Sequence, residues 1–374
     1  MREPARPIRQ STTAHEPRGA SSPRDGAPPC ADSRRATVSV IVPVRNEEPF
    51  IEQTLQYLLD QDRDGLDLEI LVVDGESDDR TCEIVQRMAT RHPEIQLHHN
   101  PRRLSSAARN VGIRHARGDM ILVVDGHCEI TDRQHLRKMV AAFEASEADC
   151  LGRPQPLDVS GATLLQQAIA AARTSPLGHH PETFIYAAEP RFVPAKSVAV
   201  AYRRSVFDRV GLFDESFDAH EDGEFNYRCD AAGLRCYFTP DIAVKYFPRK
   251  SLRGLYRQLV RYGKGRVRFS RKHRQPFGWG VVIPALFVLY TVLGGMLAAF
   301  SSRWAAAYLA GLGVYIVVVV GFSLATAVRT RCPAILPWLP LVFVVIHFGA
   351  GVGLLDEALL PDRHSDGMCG TNGR

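Results

Sequence analysis

Short apolar runs alternate with amphipathic segments between Val38 and about Tyr246. Strand-length apolar runs that alternate with segments of helical periodicity are typical of a parallel α/β sheet. The first half of this region predicts strands at 38–44, 68–74, 95–98 and 119–125, and helices at 47–60, 79–91 and 105–117. Beyond Ile130 the pattern is weaker and predicts a helix near 132–146, a strand near 197–202 and a helix near 222–233.

Three of the predicted strands end in polar side chains that can bind a charged ligand. The first strand runs into Arg45-Asn-Glu-Glu48, the second ends at Asp74, and the fourth ends in Asp125-Gly-His127. Because ligands bind beyond the carboxyl ends of strands in open α/β sheets, we expect these groups at one edge. The pattern indicates a site for a metal-bound anion.

The last third of the chain consists of long uncharged runs. No Asp, Glu, Lys or Arg lies between Arg274 and Arg303 or between Arg303 and Arg329, and after Arg331 the next acid is Asp356. Each run exceeds the roughly 20 residues needed to cross about 30 Å of hydrocarbon. The runs predict about three transmembrane helices within 275–355. Buried helices of a soluble domain are the alternative.

The distribution of basic residues predicts how these helices are oriented. Arg268 and Arg274 precede the first run, Arg329 and Arg331 separate the second from the third, and the intervening turn has only Arg303. Since basic residues favour the cytoplasmic side, we expect a multi-pass protein of the inner (plasma) membrane with residues 37–247 in the cytoplasm. A short tail at 356–374 then lies outside if the third run spans fully.

The segment 248–274 is strongly basic, with eleven Lys or Arg residues and no acid. Its bases recur every three or four residues on one face, at Arg253, Arg257, Arg261, Lys264 and Arg268. The opposite face is formed by Leu252, Leu255, Tyr256 and Leu259, and we expect Gly263 and Gly265 to interrupt the helix. This pattern predicts a helix lying on an anionic membrane surface. Topogenic charge alone is the alternative. Nucleic-acid binding would explain the charge but not its position beside a membrane span, so we expect no nucleic-acid partner.

Residues 1–36 and the cysteines restrict the class of protein further. The first 36 residues contain six prolines and no apolar periodicity, which predicts a disordered tail without a signal peptide. The eight cysteines include no Cys-x-x-Cys pair. Zinc ribbons and disulfide frameworks are therefore disfavoured, and reduced thiols in a cytosolic domain are expected.

Taken in order, several segments resemble family 2 glycosyltransferases with the GT-A fold, and most closely the succinoglycan-biosynthesis ExoA-type branch. The segments are Val40-Ile-Val-Pro-Val-Arg-Asn-Glu-Glu48, Val72-Val-Asp-Gly-Glu-Ser77, Ala108-Arg-Asn-Val-Gly112, Arg117-Gly-Asp119, Val124-Asp-Gly-His127, Ser175-Pro-Leu-Gly178, His220-Glu-Asp-Gly-Glu-Phe-Asn-Tyr-Arg228, Arg261-Tyr-Gly-Lys264 and Ile346-His-Phe-Gly-Ala-Gly351. The resemblance implies a Rossmann-like, mostly parallel sheet over 37–247 and the transfer of a sugar from a UDP-sugar.

The resemblance implies roles for individual residues on the donor side. Pro43, Glu47, Asp74, Arg109 and Asp125 would bind the nucleotide sugar, with Asp74 accepting a hydrogen bond from the uracil imide and Arg109 pairing with a phosphate. The alternatives are that Asp74 caps a helix, that Arg109 is a surface residue of its helix, and that Asp125 caps a turn.

Two positions depart from the pattern of the family. The usual Asp-x-Asp metal motif is Asp125-Gly-His127 here, so a divalent metal, Mn²⁺ or Mg²⁺, would be held by a carboxylate and an imidazole, which suits Mn²⁺ better. Otherwise His127 is a surface residue. The Gln-x-x-Arg-Trp motif of processive synthases is missing, because Arg261-Tyr-Gly-Lys-Gly-Arg266 has no Trp. That favours the addition of one sugar at a time.

Acceptor activation is assigned to the pair Glu221 and Asp222. In the family the Asp of this pair is the general base, and a neighbouring acid and a diphosphate should make it a better one by raising its pKa. Alternatively, Asp222 is only the first residue of a helix. One base, one metal and no second nucleophile imply a single displacement that inverts the anomeric carbon.

Three hypotheses for the function follow. The first is a membrane-anchored inverting transferase that adds a sugar, with glucose favoured by the family, to a polyprenyl-diphosphate-linked saccharide for a cell-surface polymer. In it, Arg257, Arg261 and Lys264 hold the domain against the leaflet, and one or more of them pairs with the acceptor diphosphate. The second is a processive polysaccharide synthase, and the third is a non-catalytic GT-A-like scaffold at the membrane. A phosphoacceptor signalling domain would not need Glu221-Asp222 or three spans.

Overall fold

The computed structural model describes residues 35–178, 184–185 and 187–360 of the chain. Within them, a single eight-stranded sheet has the order β3-β2-β1-β4-β7-β5-β8-β6. The strands are β1 Ala36–Val44, β2 Leu66–Asp74, β3 Ile95–His99, β4 Met120–Val123, β5 Cys150–Gly152, β6 Arg191–Val193, β7 Ala199–Arg203 and β8 Cys236–Phe238. Strands β1 to β4 are mutually parallel, whereas β7 is antiparallel to β4 and β5, and β6 to β8.

Eleven α-helices accompany this sheet in the described part of the chain. They are α1 Ile51–Leu59, α2 Thr81–Ala89, α3 Ser105–His115, α4 His135–Ser146, α5 Leu164–Arg173, α6 Ser205–Val210, α7 Glu221–Ala231, α8 Leu252–His273, α9 Trp279–Ala298, α10 Ser302–Arg329 and α11 Leu339–Leu359. Every element predicted from the apolar pattern is present, with shifted ends. The predicted tail 1–36 lies outside the described residues except for its last two, of which Ala36 already belongs to β1.

Alternating residues of the central strands enter opposite faces of the sheet. Val40 and Val42 of β1 pack with α1, α2 and α4, whereas Ile41 packs with α3, α6 and α7. All three β1 residues are fully buried. A strand covered on both faces is apolar throughout, which is why the parallel half of the sheet was recognisable from the sequence.

A third apolar cluster joins the sheet domain to the C-terminal helices. It contains residues of α5, α8, α10 and α11: Ala168, Ile169, Ala171, Ala172, Leu255, Val319, Ala327, Leu339, Val342, Phe343 and Ile346. Helix α5 belongs to the region where the sequence pattern was weak and was not predicted. Its apolar face is covered by α11 rather than by the sheet.

The basic helix α8 differs from the prediction in two respects. It is continuous from Leu252 to His273, so Gly263 and Gly265 do not interrupt it. A Cβ at Gly263 would lie 2.7 Å from the Leu354 nitrogen of α11, and one at Gly265 would lie 2.5 Å from the Ala219 oxygen. The glycines therefore permit close packing. Leu255 is fully buried against α5 and α11, so the leucine face of α8 contacts protein rather than lipid.

Three C-terminal helices are long and apolar enough to cross a membrane, namely α9, α10 and α11. Helix α11 continues through Asp356 to Leu359, four residues beyond the predicted boundary between membrane region and tail at residues 355 and 356. Residues 361–374 of that tail lie outside the described residues. The six described cysteines are all free.

Candidate active site

The carboxyl ends of β1 and β4 open into a cleft with a volume of about 1080 Å³. The cleft continues past α3 and the start of α7 to α5 and α8. Most of the residues predicted to be functional line it: Pro43, Glu47, Arg109, Asp125, His127, Glu221, Asp222 and Arg261. Asp74, Arg257 and Lys264 are not part of its lining. Residues distant in sequence therefore form one site.

The cleft opens where the hydrogen-bonded pairing of β1 with β4 ends. Pairing of these strands stops at Ile41 and Val123, two residues before Pro43. Pro43 has no N–H with which to extend a ladder. Strand β4 ends earlier than predicted, and Asp125 lies in the following loop, on the wall of the cleft.

His127 is held by a carboxylate that the resemblance had assigned to the nucleoside. Its Nδ1 lies 3.0 Å from Glu47 Oε1, and this hydrogen bond raises the pKa of His127, with Asp125 adding to the effect. Gly126 permits the arrangement, because a Cβ there would lie 2.8 Å from Val44 Cγ1 and 3.1 Å from Glu47 Cγ. Within the described part of the chain the Nε2 atom of His127 has no hydrogen-bond partner, so it can bind another ligand.

The described residues contain no group of three or more His, Cys, Asp or Glu side chains that could hold a metal ion by themselves. Asp125 and His127 offer two ligands of different chemistry on one wall of the cleft. This set fits a cation that takes its remaining ligands from substrate phosphates and water, as Mg²⁺-type sites commonly do. The carboxylate of Glu47 behind the imidazole is also the usual support for a metal-binding His.

Asp74 is turned away from the cleft. Its two carboxylate oxygens accept hydrogen bonds from the Ser77 hydroxyl and from the Ser77 backbone N–H, and the residue is 4% exposed. The side chain therefore caps the turn after β2 in this conformation. Each carboxylate oxygen can accept a second hydrogen bond, so these contacts do not exclude a uracil imide as a further donor.

Arg109 of α3 and Glu221 of α7 form a buried ion pair at the centre of the cleft. The closest nitrogen–oxygen distance is 3.3 Å, and the side chains are 12% and 9% exposed. Burial opposes the charge of Arg109, but the carboxylates of Glu221, Asp222 and Asp125 outweigh it and raise its pKa. Arg109 is therefore no surface residue of its helix.

Asp222 differs from its neighbour in its surroundings. It is exposed, and among the described residues its carboxylate accepts a hydrogen bond from the Gly223 N–H and no ion pair. The preceding His220 has a left-handed backbone with φ of 66°. Such a backbone is costly for a non-glycine residue. Gly265 of α8 packs against the Ala219 carbonyl and holds this loop.

The far end of the cleft is polar and is formed by α5 and α8. Arg173 donates to Gln258 Oε1 at 3.2 Å, and Gln258 donates to the Tyr262 hydroxyl at 3.0 Å. Arg261 donates to the Asp218 carbonyl. The three residues predicted at the leaflet and acceptor lie in different surroundings. Arg261 lines the cleft, Arg257 is exposed elsewhere on α8, and Lys264 pairs with Asp356 of α11 at 2.8 Å.

Sequence reasoning missed Arg173, Gln258 and Tyr262. Gln258, Arg261 and Tyr262 stand at the first, fourth and fifth positions of a Gln-x-x-Arg-Trp pattern, with Tyr in place of Trp. The motif expected to be missing is therefore present except for its Trp, which is replaced by Tyr. The signal was in the sequence. Arg173 had none, because α5 was not predicted.

Arg153 was also missed and lies in the wall of the cleft. The residue is fully buried, and its only described hydrogen bond is from Nη2 to the Val123 carbonyl at 3.5 Å. Its Nε and Nη1 have no partner among the described residues, and neither has Nε of Arg109. Buried donors without partners are rare in folded proteins. Arg153 could not be predicted as a cleft residue, because the preceding strand β5 is too short to give a recognisable pattern.

Comparison with known proteins identifies the family of the chain that forms this cleft. The sequence profile of Glycosyl transferase family 2 matches residues 39–211. Succinoglycan biosynthesis protein ExoA of Rhizobium meliloti (strain 1021) is 30% identical over 332 residues, which are 88% of this chain and 97% of that protein. The chain belongs to glycosyltransferase family 2. The family resemblance inferred from the motifs is confirmed, and this family 2 member is a glycosyltransferase.

Two further proteins are similar to this family 2 member over more than four fifths of its length. A Methanococcus voltae protein named dolichyl N-acetyl-alpha-D-glucosaminyl phosphate 3-beta-D-2,3-diacetamido-2,3-dideoxy-beta-D-glucuronosyltransferase is 24% identical, covering 83% of this chain and 93% of that protein. The structure of the mannosyltransferase PcManGT from Pyrobaculum calidifontis, in complex with GDP-Man and Mn²⁺, has a TM-score of 0.54 and 23% identity. It covers 89% of this chain and 90% of that one. The predicted GT-A fold is thereby confirmed.

Proposed function

We propose that this family 2 member is a membrane-anchored, inverting glycosyltransferase. It transfers a sugar, with glucose as the first candidate, from a UDP-sugar to a polyprenyl-diphosphate-linked saccharide in the synthesis of an exopolysaccharide or cell-surface glycan. The observation that carries the proposal is the pairing of Glu221 with Arg109, which leaves Asp222 as an exposed carboxylate in the cleft that also contains Asp125 and His127.

Asp222 acts as the general base in this proposal. It takes the proton from the acceptor hydroxyl, and the hydroxyl oxygen attacks the anomeric carbon from the side opposite the leaving diphosphate. Glu221 is a positioning residue, because its carboxylate is engaged by Arg109 and cannot share the role of base. Among the described acidic residues 218, 221 and 222, Asp222 is the one without an ion pair, so a single displacement is favoured and an α-linked donor gives a β-linked product.

Asp125 and His127 are the proposed metal ligands, with Glu47 holding the imidazole through Nδ1. A divalent ion bound there supplies Lewis-acid stabilisation of the negative charge on a leaving diphosphate. PcManGT was crystallised with Mn²⁺ and a nucleotide sugar, which supports this assignment by analogy of fold. A nitrogen ligand favours Mn²⁺ over Mg²⁺.

The buried guanidinium groups support an anionic ligand. Arg109 and Arg153 both reach the cleft wall with donor atoms that lack partners in the described structure. A nucleotide diphosphate would supply acceptor oxygens and compensate the buried charge. We assign Pro43, Asp125 and Arg109 to the donor, and Asp74 to its uracil.

The acceptor is assigned to the opposite end of the cleft, between α5 and α8. This end carries Arg173, Gln258, Arg261 and Tyr262 and lies next to the helices that are apolar enough to enter a membrane. A lipid-linked diphosphate has its charge at the headgroup level, so a basic and hydrogen-bonding wall there suits it. The basic residues of α8 and the end of α10 favour a cytoplasmic catalytic domain at the inner membrane.

Product analysis tests the proposal directly. The purified chain in lipid nanodiscs is incubated with labelled UDP-glucose, other UDP-sugars and GDP-mannose, together with a panel of polyprenyl-diphosphate saccharides. We expect one labelled lipid product with an inverted anomeric configuration. Binding of nucleotide sugar with neither transfer nor hydrolysis would favour the non-catalytic scaffold, whereas hydrolysis without transfer to any acceptor would contradict the proposed acceptor class.

Replacing Arg261 with Gln is expected to raise the apparent KM for the lipid acceptor while leaving that for the UDP-sugar nearly unchanged. The reason is that Arg261 lies on the α8 wall of the cleft, whereas the proposed metal ligands Asp125 and His127 follow β4. Arg257→Gln is the matched control, because Arg257 is exposed on the same helix outside the cleft. Equal weakening of both substrates by Arg261→Gln would move Arg261 to the donor site.

A processive polysaccharide synthase is the second candidate. It is favoured by Gln258, Arg261 and Tyr262, which follow the spacing of the processive motif and face the cleft. It predicts products of many sugars from one binding event, whereas the first candidate predicts a single addition. The length distribution of the product under a large excess of acceptor separates the two.

A further inference from the structure

Helices α9 and α10 form a hairpin that is closed at the end distant from the sheet domain. The Tyr290 hydroxyl donates to the Tyr308 carbonyl at 2.7 Å, and the Tyr308 hydroxyl donates to the Thr291 carbonyl at 3.3 Å. The two rings are 5.5 Å apart. The turn at 299–301 joins the end of α9 to the start of α10. Most of the hairpin surface is exposed and apolar, as a lipid-facing surface requires.

The open ends of this hairpin both lie on the sheet domain and α8. At the end of α10, Arg329 donates to the Thr174 carbonyl, at the end of α5, at 3.1 Å. Helix α9 begins six residues after His273 of α8, whose Nε2 lies 3.0 Å from Glu224 Oε1 of α7. The hairpin therefore leaves the sheet domain and returns to it.

Helix α11 has both of its ends on the same side as the sheet domain. At its start, Leu339 and Phe343 are buried with Ala168 and Ala172 of α5. At its end, Asp356 and Glu357 pair with three bases of α8: Lys264 at 2.8 Å, Arg268 at 3.0 Å and Arg271 at 3.7 Å. Glu357 is 1% exposed. Arg268 also pairs with Asp218 in the wall of the cleft at 2.7 Å.

The middle of α11 is enclosed between α8 and the hairpin. A Cβ at Gly353 would lie 2.1 Å from the Val260 carbonyl of α8, whereas one at Gly351 would lie 2.2 Å from the Pro284 carbonyl of α9. His347 contacts the Tyr315 hydroxyl of α10 at 2.9 Å and the Leu177 carbonyl of the sheet domain at 3.3 Å. Every part of α11 is therefore within reach of the sheet domain or α8.

A helix of 21 residues is about 31 Å long, enough to cross the hydrocarbon core. Crossing would carry one end of α11 to the far side of the bilayer. That end would take Asp356 and Glu357 away from their partners on α8 and leave Arg268 and Arg271 without them. Length and composition permit a span, but the contacts at both ends of α11 do not.

We propose that the chain crosses the bilayer twice, through α9 and α10, and that α11 lies between this hairpin and the sheet domain without crossing. The residues after α11 then remain on the side of the sheet domain. This inference rests on the membrane placement in the proposed function and is independent of the chemistry of transfer. The apolarity of α11 fits this position, because 44% of its apolar stretch is buried in the protein, against 17% for α9 and 22% for α10.

Cysteine labelling in intact cells tests the inference. The native Cys369 lies in the segment after α11, and the other seven cysteines lie on the sheet-domain side in either arrangement. A membrane-impermeant maleimide should leave the wild-type chain unlabelled until the membrane is permeabilised. The Ser301→Cys variant, with its thiol in the hairpin turn, should be labelled in intact cells.

Each outcome of this labelling has a defined meaning. Label on the intact-cell wild type that disappears in Cys369→Ser overturns the two-span arrangement. Label that persists in Cys369→Ser shows that the sheet domain faces outward, which contradicts the proposed placement and not the arrangement of α11. Absence of label on Ser301→Cys would mean that the hairpin does not cross and would also overturn the inference.

A second measurement examines the end of α11 directly. In the paired variant Lys264→Cys and Asp356→Cys, a short bifunctional maleimide should cross-link α8 to α11 in native membranes. The pair Lys264→Cys and Ser301→Cys is the control and should not react, because its second thiol lies at the closed end of the hairpin. Failure of the first pair with intact transfer activity would contradict the proposed position of α11.

Discussion

Replacing Asp222 with Asn is expected to lower the rate of sugar transfer by about 10²–10⁴, the usual loss for a missing general base. The amide keeps the size and hydrogen-bonding shape of the side chain but cannot accept the proton of the acceptor hydroxyl. UDP affinity should stay within a few-fold, since Asp222 is at the start of α7 and is not among the residues assigned to the donor. The measurements are turnover with saturating acceptor and equilibrium binding of UDP.

Two further variants make this test specific. Asp208→Asn removes an exposed carboxylate on α6 outside the cleft and should retain full activity. Glu221→Gln breaks the buried pair with Arg109 and should lower thermal stability as well as activity, because an uncompensated charge is left buried. Turnover near the wild-type value in Asp222→Asn would exclude it as the base.

Replacing His127 with Ala is expected to abolish most of the activity, and His127→Asp to restore part of it with a shift toward Mg²⁺. The wild type should work at least as well with Mn²⁺ as with Mg²⁺, because an imidazole nitrogen suits Mn²⁺ better. Mn²⁺ binding in the presence of UDP, followed by electron paramagnetic resonance, gives a readout that does not depend on turnover. Full activity in excess chelator would remove the metal from the proposal.

The contact between Glu47 and His127 gives this prediction its control. Glu47→Gln should weaken Mn²⁺ binding by about 10–100-fold, the usual effect of losing a carboxylate behind a metal-binding His. Glu48→Gln should leave binding unchanged, since Glu48 faces Arg80 on the neighbouring loop. Equal effects of the two substitutions would show that Glu47 acts through general charge and does not orient the imidazole.

Much of the donor half of the site was predictable because its residues follow apolar strands. A buried parallel strand is apolar along its length and gives way to polar residues where it leaves the sheet, so Asp125 and His127 were visible as candidates. The antiparallel half was harder to predict. Its strands β5, β6 and β8 have three residues each and give no periodicity to recognise.

The sequence could not predict which side chains contact each other within the site. Glu47 was assigned to the nucleoside, yet it holds His127, 80 residues away. Arg109 was assigned to a phosphate or to the helix surface, yet it pairs with Glu221 of α7. Such contacts depend on how the loops after β1 and β4 and the start of α7 converge, and no local pattern encodes that geometry.

The sequence by itself determined the order of the elements from β1 to α4, the family, the sheet edge proposed to bind the ligand and the apolar character of the last helices. These properties are local or additive, since they follow from the periodicity, the composition and the motifs of contiguous segments. Tertiary structure alone decided which bases of α8 reach the cleft and where α11 lies. Hydropathy measures how apolar a helix is but not what covers it, so a helix buried between a hairpin and a protein surface has the same signature as one in lipid.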